Sequence, residues 1–151
     1  MKKILICISF IFFLFFSVAA QNADSAWFAN NYYKIERQIP MRDGIKLFTS
    51  IYIPNDKTEK HPFLMTRTPY SSQPYGENRL SFFWRSYYIA YLKENYIIVK
   101  QDVRGRYMSE GTNLEVTPHI LNKKSKSDID ESSDTYDTVD WLIKNIENNN
   151  G

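Results

Sequence analysis

Cysteine is all but missing from this chain. The one that occurs, Cys7, lies in the N-terminal apolar run and lacks the small residues before it that a lipoprotein signal needs. Beyond that run no thiol exists, so disulfides, thiolate catalysis and cysteine-ligated metals are excluded together. Histidine is scarce too. His61 sits in a polar loop beside Pro62, His119 has no carboxylate or second histidine at ligand spacing, and no H-E-x-x-H occurs. Both read as solvated loop histidines. Asp128, Asp130, Ser132 and Asp134 imitate the first half of a calcium loop, but Ser133 and Val139 stand where glycine and the bidentate glutamate belong. No metal is expected. Only five glycines occur, Gly44, Gly76, Gly105, Gly111 and Gly151, and none forms G-x-S-x-G.

An excess of one charge is also lacking. MKKILICISFIFFLFFSVAA carries two lysines, an apolar run and small residues at Val18 and Ala20, the pattern of a secretory signal with cleavage after Ala20. The run from Ile4 to Ala20 is at the short limit for a membrane span, so export is expected, to the periplasm or outside the cell, with no stable membrane anchor afterwards. Removing residues 1–20 leaves 131 residues and takes Lys2 and Lys3 with it. The remainder has 17 basic residues against 17 acidic ones. That balance, with no basic face among aromatics, argues against nucleic acid.

What is present organises itself into one domain. Residues 21–32 read as a polar, flexible lead-in, and 33–151 as the folded part. Tyr33, Ile35, Arg37 and Ile39 alternate with polar residues, as do Ile45, Leu47, Thr49, Ile51 and Ile53. With Arg42-Asp43-Gly44 between them, the two runs predict a β-hairpin. Phe63–Thr66 is a third strand, ending in the loop Arg67-Thr68-Pro69-Tyr70. Leu80, Phe83, Trp84, Tyr87, Tyr88 and Tyr91 sit at helical spacings and predict an amphipathic helix over 80–95 with a core-facing aromatic stripe. A second helix is predicted from Tyr136, Val139, Ile143 and Ile146, with Asp130, Glu131 and Asp134 favoured at its N-terminus by the helix dipole.

The stretch around which these elements are arranged is Tyr96–Gly111, YIIVKQDVRGRYMSEG. Its β-branched opening predicts a strand buried on both faces, and strand–helix–strand implies a parallel pair. A polar loop follows, at the carboxyl end where open α/β sheets place ligand chemistry. The phrase Asp-Val-Arg-Gly-x-x-x-Ser-Glu-Gly, with the upstream Met-Arg-Asp-Gly and Arg-Thr-Pro-Tyr, resembles the serine hydrolases grouped with cocaine esterase and the Xaa-Pro dipeptidyl-peptidases. α-Amino acid ester hydrolases and glutaryl-cephalosporin acylases belong to that group. The resemblance spans about Lys34 to Gly151. It implies the N-terminal part of an α/β-hydrolase sheet, a β-hairpin followed by strand–helix–strand–helix, incomplete because the chain ends before the nucleophile elbow.

The resemblance also implies site residues. In such enzymes a tyrosine after the third strand donates its hydroxyl to the oxyanion, which makes Tyr70 the catalytic candidate. Ser72 stands where the α-amino acid ester hydrolases carry an aspartate that helps hold the substrate ammonium. A substrate-binding role for Ser72 would therefore carry no demand for an α-amino group. Asp102, Arg104, Gly105, Ser109 and Glu110 read as a loop that supports the site by charge-assisted hydrogen bonds, without doing chemistry themselves. The implied substrate is a small ester or amide or a short peptide, cleaved through an acyl-serine, with no cofactor. Because nucleophile, acid and histidine are absent, the chain is expected to be inactive alone. The alternative is a secreted binding module that exposes Phe83, Trp84 and Tyr87–Tyr91 as an aromatic platform.

Overall fold

The computed structural model describes residues 23–114 and 117–151. The signal peptide expected over residues 1–20 lies outside them. Four strands form one mixed sheet in the order β1-β2-β4-β3. β1 (Tyr32–Pro40) and β2 (Lys46–Pro54) are the predicted hairpin, paired antiparallel from Tyr32↔Pro54 to Pro40↔Lys46. Gly44 closes the turn at a φ of 90°, and its amide donates to the Met41 carbonyl at 2.9 Å. A side chain is strained at that φ, and glycine is not. β2 pairs antiparallel with β4 (Ile97–Asp102), and β4 pairs in parallel with β3 (Phe63–Thr68) along its whole length.

The period-2 geometry of β4 explains its central place. Ile97 and Val99 face one layer with Ile39, Leu47, Ile51 and Leu142. Ile98 faces the other with Phe28, Tyr52 and Leu92. All three β4 side chains are fully buried, each contributing about 1.5–3 kcal/mol over exposure. The strand is buried on both faces, as the apolar run predicts.

One layer is built from residues expected to be a flexible lead-in. Residues 23–31 are helical (α1), and Phe28 packs against Tyr32, Tyr52 and Phe83 at ring-centroid distances of 5.3–6.2 Å. The polar composition of that segment concealed a single buried anchor. The long helix predicted over 80–95 is also shorter than expected. A 3-10 turn, Phe83–Arg85, is followed by a short helix, α2 (Tyr88–Lys93). Between them Ser86 is extended, with its hydroxyl donating to the Phe83 carbonyl and accepting from the Tyr88 amide. Such local side-chain bonds compete with the helical ladder. Phe83, Leu92 and part of Tyr88 enter the core while Tyr87 stays exposed. An aromatic platform needs Phe83 at the surface, so its burial counts against the binding-module reading.

The opposite layer is α3 (Glu131–Asn145), capped by Asp130, whose carboxylate accepts the Ser133 amide while the Ser133 hydroxyl accepts the Asp130 amide. Of the residues whose spacing predicts this helix, Tyr136, Val139 and Ile143 face outward and Ile146 is buried; Asp134, Thr138 and Leu142 face the sheet. The first turns of α3 rest on polar groups. Gln101 donates to both Thr49 and Thr138 at 2.9 Å, so hydrogen bonds satisfy a buried polar seam.

His61 is also unlike its expectation. It is buried, its Nε2 is 3.0 Å from the Asp56 carbonyl, and its backbone bridges in parallel to Asn149. The chain leaving α3 thus comes alongside the start of β3. No helix among the described residues is long and apolar enough to cross a membrane.

Candidate active-site cleft

The carboxyl ends of β3 and β4 lie side by side because the strands are parallel and in register, Thr68 opposite Asp102. The two loops that leave them therefore start as neighbours. Each element of Arg67-Thr68-Pro69-Tyr70 has a distinct place. Arg67 donates to Gln101 at 2.7 Å and to Glu131 at 2.8 Å, fixing the strand end against the first turn of α3. Thr68 accepts the Tyr70 amide at 3.0 Å. Ser71 follows at a φ of 81°, reversing the chain so that Tyr70 projects outward, 84% exposed.

Asp102 joins the two loops. Its fully buried carboxylate accepts the Ser72 amide at 2.6 Å, the Tyr75 hydroxyl at 3.0 Å and, at the longer distance of 3.4 Å, the Met108 amide. Burial raises the Tyr75 pKa; the hydrogen bond with Ser71 opposes this, and the Asp102 bond and charge reinforce it. The Ser72 side chain is itself fully buried with its Oγ unpartnered, and it does not line the cleft beside Tyr70. On the far side, Lys34 is buried and reaches Glu36 and the carbonyls of Pro74 and Gly76, which anchors the 71–79 loop to β1.

The second loop is stitched to the start of β2. The Ser109 hydroxyl donates to the Asp102 carbonyl at 2.6 Å and accepts the Phe48 amide at 2.8 Å. Glu110 exchanges two bonds with Lys46, its amide donating and its carboxylate accepting, both at 2.9 Å. Gly105 sits at a φ of 67°, and a Cβ there would lie 2.1 Å from the Asn113 nitrogen. Only glycine lets the backbone cross itself at that point. Arg104 reaches Asp134 at 2.7 Å and Asp43 at 2.8 Å, joining the loop to α3 and to the hairpin turn. Burial alone would lower the Arg104 pKa, but the bonds to Asp134 and Asp43 outweigh it and hold the guanidinium above its ordinary value. Asp102, Arg104, Gly105, Ser109 and Glu110 are each engaged in holding the loop.

Between the two loops lies an open cleft of about 630 Å³. Tyr70, Tyr107 and Leu114 give it apolar walls, while Arg106 and Glu131 supply its charges. Sequence reasoning singled out Tyr70 and the loop that holds Arg106 and Tyr107, but gave those two residues no role and did not single out Leu114. The fold brings all three to Tyr70. Among the described residues no cluster of histidine, cysteine or acidic residues is arranged to hold a metal.

The sequence pattern described as X-Pro dipeptidyl-peptidase (S15 family) matches residues 43–151. The chain belongs to this family. It is 31% identical over 107 residues to the cocaine esterase of Rhodococcus sp. (strain MB1 Bresler), covering 70% of this chain and 16% of the esterase. Among solved structures, an aminopeptidase from the marine sediment archaeon Thaumarchaeota archaeon superposes with a TM-score of 0.63 at 39% identity. The match covers 80% of this chain and 20% of the aminopeptidase. An α-amino acid ester hydrolase superposes with a TM-score of 0.65 at 37% identity, over 81% of this chain and 20% of the hydrolase. All three are named for hydrolytic activities. The chain spans about a fifth or less of their lengths, so it corresponds to the N-terminal part of a cocaine-esterase-like hydrolase, with an incomplete sheet.

Proposed function

We propose that this S15-family chain is the part of an exported serine hydrolase that supplies one donor of its oxyanion hole. The donor is the Tyr70 hydroxyl, and the substrate is a small ester, an amide or a short peptide. The observation that carries this reading is the exposed Tyr70 side chain over a cleft at the carboxyl end of β3, held there by Thr68, Ser71 and the Asp102 clamp on Ser72. In the reaction a serine oxygen from outside these 151 residues attacks the scissile carbonyl. The carbonyl π electrons move to its oxygen, and Tyr70 donates a hydrogen bond to that oxyanion. The C–O or C–N bond then breaks, the leaving group takes a proton, and water later releases the acyl group from the serine. Export rests on the N-terminal pattern of Met1–Ala20, and the family resemblance calls for no cofactor.

The test is to sequence the coding DNA around this segment, express the complete reading frame and assay ester hydrolysis. Tyr70→Phe is expected to lower kcat by about 10²–10³ with KM little changed, the loss typical of one oxyanion donor. The 151-residue chain by itself is expected to show no turnover. A full-length product whose rate is indifferent to Tyr70→Phe would remove the assignment, and one that hydrolyses no ester or amide would remove the function.

A further inference from the structure

Among the described residues, Arg106 is the one cation lining the Tyr70 cleft, and its charge has no partner there. No hydrogen bond or ion pair among the described residues reaches its guanidinium, and its Nε is buried without a partner. The other charge of the cleft is committed elsewhere: Glu131 accepts Arg67 Nη1 at 2.8 Å. Arg104, two residues before Arg106 on the same loop, is saturated by Asp43 and Asp134. The loop thus carries one arginine that builds it and a second that lines an open, partly aromatic cavity without a partner among the described residues. A buried donor without a partner is costly, and a guanidinium fork matches a carboxylate.

From this geometry we infer that Arg106 makes the cleft beside Tyr70 a subsite for an anionic group. The substrate it takes is an acyl compound carrying a carboxylate, its apolar middle against Tyr107 and Leu114 and its anion on Arg106. The inference deepens the hydrolase reading and rests on it for the word substrate; binding of the anion itself needs no turnover.

The experiment is therefore a binding measurement on the product of the complete reading frame. Ligand-observed NMR follows 3-phenylpropanoate or its neutral isostere, 3-phenylpropanamide, as each is titrated in. The carboxylate is expected to bind about tenfold or more tightly than the amide, since a hydrogen bond to a charged group carries at least that factor. Arg106→Gln is expected to bring the carboxylate down to the affinity of the amide, and Arg106→Lys to retain part of the preference. Equal affinity of the wild-type chain for both probes overturns the subsite, whether or not any variant folds. So does a preference that survives Arg106→Gln. Neither result bears on Tyr70→Phe in the full-length enzyme, so the two readings fail separately.

Discussion

Asp102 accepts the Ser72 amide at 2.6 Å, tying the end of β4 to the loop that carries Tyr70. The carboxylate is fully buried, and so is Ser72, while Tyr75 keeps Ser71 as a second partner. Removing a buried acceptor leaves a buried donor unsatisfied, which costs more than the net worth of the bond itself. Asp102→Ala is expected to destabilise the chain by about 3 kcal/mol. Asp102→Asn keeps one oxygen for the Ser72 amide and should cost about half as much. Tyr75→Phe removes a hydroxyl that also has Ser71 within 2.8 Å, and should cost about 1 kcal/mol. Urea unfolding at pH 7 ranks the three, and a Tyr75→Phe loss as large as that of Asp102→Ala would mean the clamp works through Tyr75 instead of Ser72.

Arg104 offers a comparison of two ion pairs on one side chain. Asp134 is 3% exposed at its side chain and Asp43 is 16% exposed, at nearly equal distances from the guanidinium. Water screens the Asp43 pair more, so Coulomb attraction should favour the Asp134 pair. Double-mutant cycles with Arg104→Met are expected to give a coupling of about 2–3 kcal/mol with Asp134→Asn and about 1 kcal/mol or less with Asp43→Asn. Equal couplings would show that the turn and the helix are held with the same strength.

The hairpin and β4 were legible in the sequence because both announce themselves through apolar residues alone. Alternation from Ile45 to Ile53 and the unbroken Ile97-Ile98-Val99 leave little choice of face. The buried face of α3 was not legible for the complementary reason. Its buried face includes Asp134 and Thr138, which are inside because Arg104 and Gln101 wait for them, and no periodicity of apolar residues contains that information. His61 was misplaced likewise, since its burial depends on Asn148–Asn150, almost ninety residues away. The site divides in the same way. Tyr70 and the supporting loop came from motif resemblance, whereas Arg106 becomes notable only once Glu131 is seen to be taken by Arg67.

Acid should weaken the cap of α3. The buried Asp130 carboxylate is pushed up by desolvation, but Lys123 at 2.7 Å and the Ile120, Ser132 and Ser133 donors outweigh it and hold the pKa well below its ordinary value. A depressed pKa in the folded state contributes stability that is fully present above the unfolded value, near 4, and is lost as pH falls below it. Asp137 adds in the same direction. Desolvation raises its pKa, and the Arg42 side chain and amide lower it further. Asn caps a helix about as well as Asp, so Asp130→Asn tests the charge with the cap retained. The variant is expected to melt below the wild type at pH 7, and the gap should narrow between pH 5 and pH 3. A gap that stays constant across that range, followed by circular dichroism, would assign the loss to packing instead of ionisation.

The outward stripe of α3 and the free side of β3 make a prediction about the isolated chain. Tyr136 is 66% exposed, with Val139 and Ile143 beside it on the same helix face. β3 pairs only with β4 along its length, among the described residues, and each of its residues is half-buried. An exposed apolar helix face and an unpaired strand edge each recruit other chains, since the apolar surface and the backbone donors gain by being covered. The 151-residue chain is expected to self-associate at about 50 µM, within the range where exposed apolar surface drives aggregation. Val139→Lys with Ile143→Lys should shift it toward monomer. Substitutions at exposed positions usually change folding stability by only about 0.5 kcal/mol, so fewer oligomers with an unchanged melt would isolate the surface effect. Light scattering decides the matter: a wild-type chain that stays monomeric at that concentration would show that the stripe is tolerated in water, and the covering surface would have to be sought at β3 alone.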